Sequence, residues 1–292
     1  MFGEQFKQSR VACAEVEINL VQGGSGSPLL LLHGYPQTHV MWHNVAPALA
    51  EHFHVVCADL RGYGDSSKPE GRADHGTYSK RTMARDMVEV MAQLGYSEFH
   101  VAGHDRGARV THRMALDHPD KVFKACMMDI APTLHMFRTT DQEFATGYYH
   151  WFFLIQPDGL PEHMIGLDPD HYLRSKIGKW SGANAVFAPE ALAEYLRCFR
   201  DPAMIHASCE DYRAAASLDL QHDEQDLDKK IACPVLVLWG AEGLVARKYQ
   251  VLDVWREHAR QVEGRALDCG HFLPEEVPDV VVEELMRFFR EH

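Results

Sequence analysis

The chain has 292 residues, 46% apolar and 24% charged, which is enough for one large core or a core with an insertion. Lys and Arg number 29 against 42 Asp and Glu; the net charge of −13 argues against nucleic acid or an anionic membrane surface as partner, and it gives an anionic substrate no long-range help. Seven scattered cysteines without a C-x-x-C pair, an N-terminus without an apolar signal core, and no apolar run of membrane-spanning length predict a soluble, cytoplasmic protein with free thiols.

Val16, Ile18 and Leu20 alternate with polar residues, so 11–22 reads as an edge strand before the Gly-Ser turn at 23–27. Leu29–Leu32 is short and wholly apolar, as in a strand buried on both faces, and it runs into His33-Gly34-Tyr35-Pro36. A helix is expected over Trp42–Glu51, then a strand over His54–Ala58 ending in the glycine-rich loop Asp59–Ser66. Met83, Met87, Val90, Met91 and Leu94 recur at helical spacing within Ser79–Leu94. The apolar run Phe99–Ala102 leads into Gly103-His104-Asp105-Arg106-Gly107 and a helix over Ala108–His118, and Val122–Asp129 reads as another strand. After Pro132 the pattern changes to aromatic-rich helical stretches, such as Phe144–Ile155, Pro189–Phe199 and Ala203–Ala216. Strand character returns at Cys233–Gly240, followed by a helix over Tyr249–His258, a short strand over Gly264–Leu267, Gly270-His271-Phe272, and a last helix over Val277–Arg290. The alternation predicts an α/β fold with a mostly parallel central sheet flanked by helices. Residues 1–132 and 226–292 form the expected core, and 133–225 an inserted helical cap.

A strand, a tight Gly-x-x-x-Gly turn and a helix describe the nucleophile elbow of the α/β-hydrolase fold, with Asp105 where serine is usual. Alone, those five residues suit an Asp N-cap equally well. The chain order Asp105, Asp129, His271 supplies nucleophile, acid and base, each at the carboxyl end of an expected strand or in the loop before the last helix. The acid often stands three residues after the glycine that ends the later strand, which here is Gly243; its neighbour Glu242 is the alternative to Asp129. Nineteen histidines show no metal-ligand spacing, so no metal is expected.

The blocks at His33–Pro36, Asp59–Ser66, Gly103–Gly107 and Gly270–Phe272 together resemble the α/β-hydrolases with an aspartate nucleophile. Within them the chain is similar to the fluoroacetate (haloacetate) dehalogenases, on Asp105-Arg106-x-x-Arg109, Asp129-Ile130-x-Pro132-Thr133, His150-Trp151 and Tyr212, over essentially its whole length. The resemblance implies cofactor-free hydrolysis of fluoroacetate and other 2-haloacetates to glycolate and halide, a halide site at His150, Trp151 and Tyr212, and a homodimer.

A carboxylate nucleophile suits displacement at saturated carbon and leaves an alkyl ester on the enzyme. His271 would then activate water against that ester, steadied by Asp129, with the main-chain N–H groups of Tyr35 and Arg106 as oxyanion hole. Arg106 and Arg109 share one helix face and can clamp a substrate carboxylate; surface ion pairing is the plainer reading, and Arg113 reads as structural. Around His150 and Trp151 the competing reading is aromatic packing of the cap. An epoxide hydrolase would use the same Asp105 and His271 with two cap tyrosines drawn from Tyr148, Tyr149, Tyr172, Tyr195 and Tyr212. Arg106, where haloalkane dehalogenases place Trp, disfavours a neutral alkyl halide. A non-enzymatic scaffold of this fold would need neither His271 nor Asp129.

Overall fold

The computed structural model describes residues 1–290. Its centre is a sheet of eight strands, β1 (Phe6–Ala12), β2 (Glu17–Gly23), β3 (Ser27–Leu32), β4 (Phe53–Ala58), β5 (Phe99–His104), β6 (Val122–Met128), β7 (Val235–Gly240) and β8 (Val262–Leu267). They lie in the order β1-β2-β4-β3-β5-β6-β7-β8. β3 to β8 run parallel, and β1 and β2 add an antiparallel hairpin at one edge. Leu29–Leu32 of β3, all of β5 and most of β6 and β7 are buried, because strands in the middle of a parallel sheet are covered on both faces. The helix Arg106–Asp117 packs on β5, β6 and β3, and that fixes where its first turn meets the carboxyl rim.

Between β6 and β7 every element is a helix, from Thr133–Arg138 to Leu218–Gln225, and together they form an inserted helical cap. Their starts are written locally. Asp168-Pro169 and Asp201-Pro202 each place a carboxylate that accepts a first-turn N–H, followed by a proline at the position where no N–H is needed. No helix among the described residues is long and apolar enough to cross a membrane.

Three expectations are corrected. The single strand over 11–22 is two strands turned at Cys13–Val16, where Cys13 N donates to Val16 O; β1 takes the edge and β2 lies inside, so the alternation reports a half-covered hairpin. The helix over Trp42–Glu51 is a 3-10 turn at His39–Trp42 followed by one helical turn at Ala46–Leu49. The helix over Phe144–Ile155 breaks at Tyr148 (φ −110°, ψ 41°) into Gln142–Gly147 and His150–Phe153, as side chains on both sides of the break turn into the core.

Candidate functional site

The elbow is strained and has no room for larger residues. Asp105 sits at φ 48°, ψ −111°, outside the regions an L-residue favours. A Cβ on Gly103 would lie 2.4 Å from the carbonyl of Gly107, and one on Gly107 would lie 2.5 Å from the main-chain oxygens of Leu32 and His33. Backbone meets backbone at both points, so only glycine fits. The turn brings Asp105 Oδ1 to 3.0 Å from the Tyr35 N–H, which donates to it, and leaves Oδ2 at 4.0 Å from His271 Nε2.

Asp129 also has positive φ, 54°, at the end of β6. Its Oδ1 accepts from Gly240 N at 3.0 Å, and its Oδ2 lies 2.5 Å from His271 Nδ1. A side chain at Gly243 would start 3.6 Å from Asp129, so the glycine there leaves the carboxylate room. Glu242 instead accepts from Ala183 N. His271 is held at its main chain from both layers: its N–H donates to Trp180 O of the cap, and its carbonyl accepts from His104 Nε2. Burial works against charge on both catalytic candidates, but partners outweigh it. His271, then Arg106, pulls the Asp105 carboxyl below its ordinary pKa, and the bond to Asp129 raises that of His271.

The two arginines lie one turn apart and are both buried, but their surroundings differ. Arg106 spends Nε and Nη2 on Asp211, at 2.9 and 2.6 Å, and Nη2 also reaches the Asp211 carbonyl at 3.0 Å. Arg109 spends Nη1 on Ala131 O and Thr133 Oγ1, and Nη2 lies 3.2 Å from Met136 Sδ. Arg106 Nη1 and Arg109 Nε are buried without a partner. The alternative of surface ion pairing does not describe either: Arg106 pairs with Asp211 in the interior, and Arg109 has no ion pair among the described residues. Arg113 does form ion pairs, with Asp117, Asp223 and Asp226.

The cap closes over this set. The Tyr212 ring covers the Arg106 guanidinium at 4.1 Å, and the Trp151 ring covers that of Arg109 at 4.7 Å. His150 Nε2 lies 3.1 Å from the Tyr212 hydroxyl, and its Nδ1 is buried and unpartnered. Burial, then Lys176 and Arg106, holds the His150 imidazole well below its ordinary pKa, so it is neutral. A neutral imidazole and a hydroxyl own two hydrogens between them. Their mutual bond uses one, so the pair keeps one donor unspent whichever tautomer is present. Of the cap tyrosines, Tyr195 donates to Glu275, Tyr172 stacks on Phe199, and Tyr149 is exposed under Lys176. Burial, then Asp129 and Asp105, raises the Tyr148 pKa, and burial, then Asp105, raises that of Tyr212.

A cavity of about 120 Å³ reaches His271 between Tyr148, Trp180, Glu242 and Arg247. A roomier groove of about 560 Å³ between His75, Glu162 and Arg213 touches none of these groups. The space of about 120 Å³ meets His271 but is not lined by Asp105, Arg106, Arg109, His150, Trp151 or Tyr212. Sequence reasoning misses Asp211 and Trp180. Asp211 adjoins Tyr212 in the chain, but nothing in its spacing announces a partner 105 residues away.

A profile described as the alpha/beta hydrolase fold matches residues 27–278. A fluoroacetate dehalogenase of Burkholderia sp. is 47% identical over 286 residues, 98% of this chain and 94% of that one. A soluble epoxide hydrolase of Corynebacterium sp. (strain C12) is 37% identical over 281 residues, 93% of each chain. Among solved structures, a chain from Nostoc sp. PCC 7120, provisionally called an alpha/beta hydrolase, superposes with a TM-score of 0.98 at 61% identity over 100% of both.

Proposed function

The chain belongs to the alpha/beta hydrolase fold family, and from that premise we propose that it hydrolyses 2-haloacetates, fluoroacetate included, to glycolate and halide. The observation that carries this reading is the pair of buried guanidinium donors, Arg106 Nη1 and Arg109 Nε, left without partners in the first turn of the helix that follows the Asp105 elbow. Buried donors are rarely left unmet, and a small carboxylate meets both.

With the carboxylate held there, Asp105 Oδ2 attacks the α-carbon, the carbon–halogen bond breaks, and the halide leaves with the bonding pair. Trp151 and the His150–Tyr212 pair, with its unspent hydrogen, stabilise the halide; fluoride needs such donors most because it gives up the strongest hydration. The ester then has its carbonyl oxygen at Oδ1, where the Tyr35 N–H is directed. Arg106 N is assigned as the second oxyanion donor. A water deprotonated by His271 Nε2 attacks the ester carbon, the bond between the Asp105 carboxyl carbon and the glycolate oxygen opens as that oxygen takes a proton from the His271 imidazolium, and glycolate leaves with Asp105 regenerated. Asp129 steadies the imidazolium through the 2.5 Å contact. No step calls for a cofactor or metal. Residues 133–225 are taken as the cap, 1–132 and 226–292 as the core, and the working unit as a homodimer.

Halide release from fluoroacetate and chloroacetate, read with ion-selective electrodes against an Asp105→Ala blank, tests the reading. Release that depends on Asp105 is expected. Its absence, together with turnover of a simple epoxide, would favour epoxide hydrolysis, for which Tyr148 and Tyr212 are the tyrosines under the influence of Asp105.

A further inference from the structure

Two arginines facing one carboxylate are easily taken as equivalent, but their counter-charges are not. The Asp211 carboxylate, fully buried, accepts from Arg106 Nε and Nη2, from the Tyr63 hydroxyl at 2.7 Å and from Lys80 Nζ. Lys80 Nζ also lies 3.9 Å from Asp219. Arg106 and Lys80 are thus two cations matched by two anions, Asp211 and Asp219. Arg109 bonds only neutral groups, and among the described residues no carboxylate stands within ion-pair distance of it. Burial, then Arg106, lowers its pKa from the ordinary arginine value; Asp105 acts the other way but does not reach ion-pair distance.

We infer that Asp211 divides the work of the two arginines: it holds Arg106 as a charge-balanced, oriented donor and leaves Arg109 as the open charge that a substrate carboxylate neutralises. Asp211 is then a positioning residue. It grips the edge of the guanidinium while its neighbour Tyr212 covers the face, so that Nη1 is the one donor offered to substrate. Affinity for the anion comes mainly from Arg109, and the angle of attack on the α-carbon from Arg106. The division rests on the carboxylate-binding reading above, and it can be tested whether or not halide is released.

The probe is glycolate, titrated calorimetrically into the full-length protein, whose stoichiometry counts folded sites. Arg109→Gln is expected to weaken glycolate by ~100-fold or more, because a buried charge pair is lost. Asp211→Asn is expected to keep glycolate affinity within about threefold of the parent, or tighten it, while kcat for chloroacetate per glycolate-binding site falls ~10- to 100-fold through lost orientation. A merely structural Asp211 would lower the number of sites and leave both constants per site unchanged. Should Asp211→Asn fold poorly with one cation in excess, Lys80→Met/Asp211→Asn restores the balance and is read in the same way. The inference is overturned if the parent does not bind glycolate, if Arg109→Gln binds it as the parent does, or if Asp211→Asn weakens it as much as Arg109→Gln. Without halide release from the parent, the glycolate comparison alone decides.

Discussion

At the carboxyl rim of the sheet, Asp105 and Asp129 both stand at positive φ and both accept a main-chain N–H, from Tyr35 and Gly240 respectively. In the cap, His150, Tyr212 and Asp211 stand on helices and are held by one another's side chains and by the arginines of the core. Backbone placement makes the rim rigid and sensitive to any added atom. Side-chain placement lets the cap adjust, so substitutions at His150 and Tyr212 should change which halide is favoured rather than whether reaction occurs.

The largest test of this contrast removes the rim's chemistry. Asp105→Ala should lose halide release by ~10⁴-fold or more, the scale set by loss of a covalent nucleophile. His271→Asn should release about one halide per active site and stop, because the water attack has no base. Intact-protein mass spectrometry would then find one carboxymethyl group per chain. Unmodified protein after haloacetate exposure would break the assignment of Asp105 and His271 to successive steps.

Next comes the rim's intolerance of volume. Gly107→Ala sets a methyl group 2.5 Å from two main-chain oxygens that cannot move without displacing β3. It should cost about 3 kcal/mol or more of stability in denaturant titration. An unaltered midpoint would mean the elbow is softer than its geometry implies. The cap should give a smaller, selective effect. Tyr212→Phe deletes the hydroxyl partner of His150 and should reduce fluoride release by roughly 10- to 100-fold but chloride release by less, since fluoride depends most on donors that replace water. Equal losses for the two halides would return the cap aromatics to packing.

The same contrast explains what the sequence reveals. A backbone that must turn sharply leaves glycine at fixed offsets, so Gly103, Gly107 and Gly270 mark the rim in the sequence itself, and the paired arginines follow from helical spacing. Nothing of that kind marks the cap. Asp211 matters because helix Pro202–Ala215 lays it against Arg106, and that is decided by packing between elements far apart in the chain. The same holds for Trp180, whose carbonyl, rather than its ring, receives the His271 N–H. Element boundaries are hidden where aromatic density, as at Tyr148-Tyr149, looks helical on either side of a break.

The mildest prediction concerns a joint between the two regions. Glu275, four residues after His271, is buried, and its Oε1 accepts from Tyr195 of the cap and from Gln37, two residues beyond Tyr35. His43 is the nearest ionisable base, 3.9 Å from Oε2. Burial lowers its pKa, its Nδ1 faces Val40 O, and at 3.9 Å it makes no hydrogen bond to the carboxylate. Burial, which outweighs the Tyr195 bond, raises the Glu275 pKa from 4.5 to about 7. Between those values the folded chain holds a proton that the unfolded chain has released. Stability from this group is therefore complete below pH 4.5, declines as pH rises, and levels off above pH 7, by at most about 1.4 kcal/mol per pH unit. Glu275→Gln cannot ionise, so the difference in melting temperature between parent and variant should drift in the variant's favour from pH 4.5 to 7 and then stay flat. A difference independent of pH would mean that Glu275 is already charged in the folded protein, and that the joint between cap and core is held by an anion rather than by a shared proton.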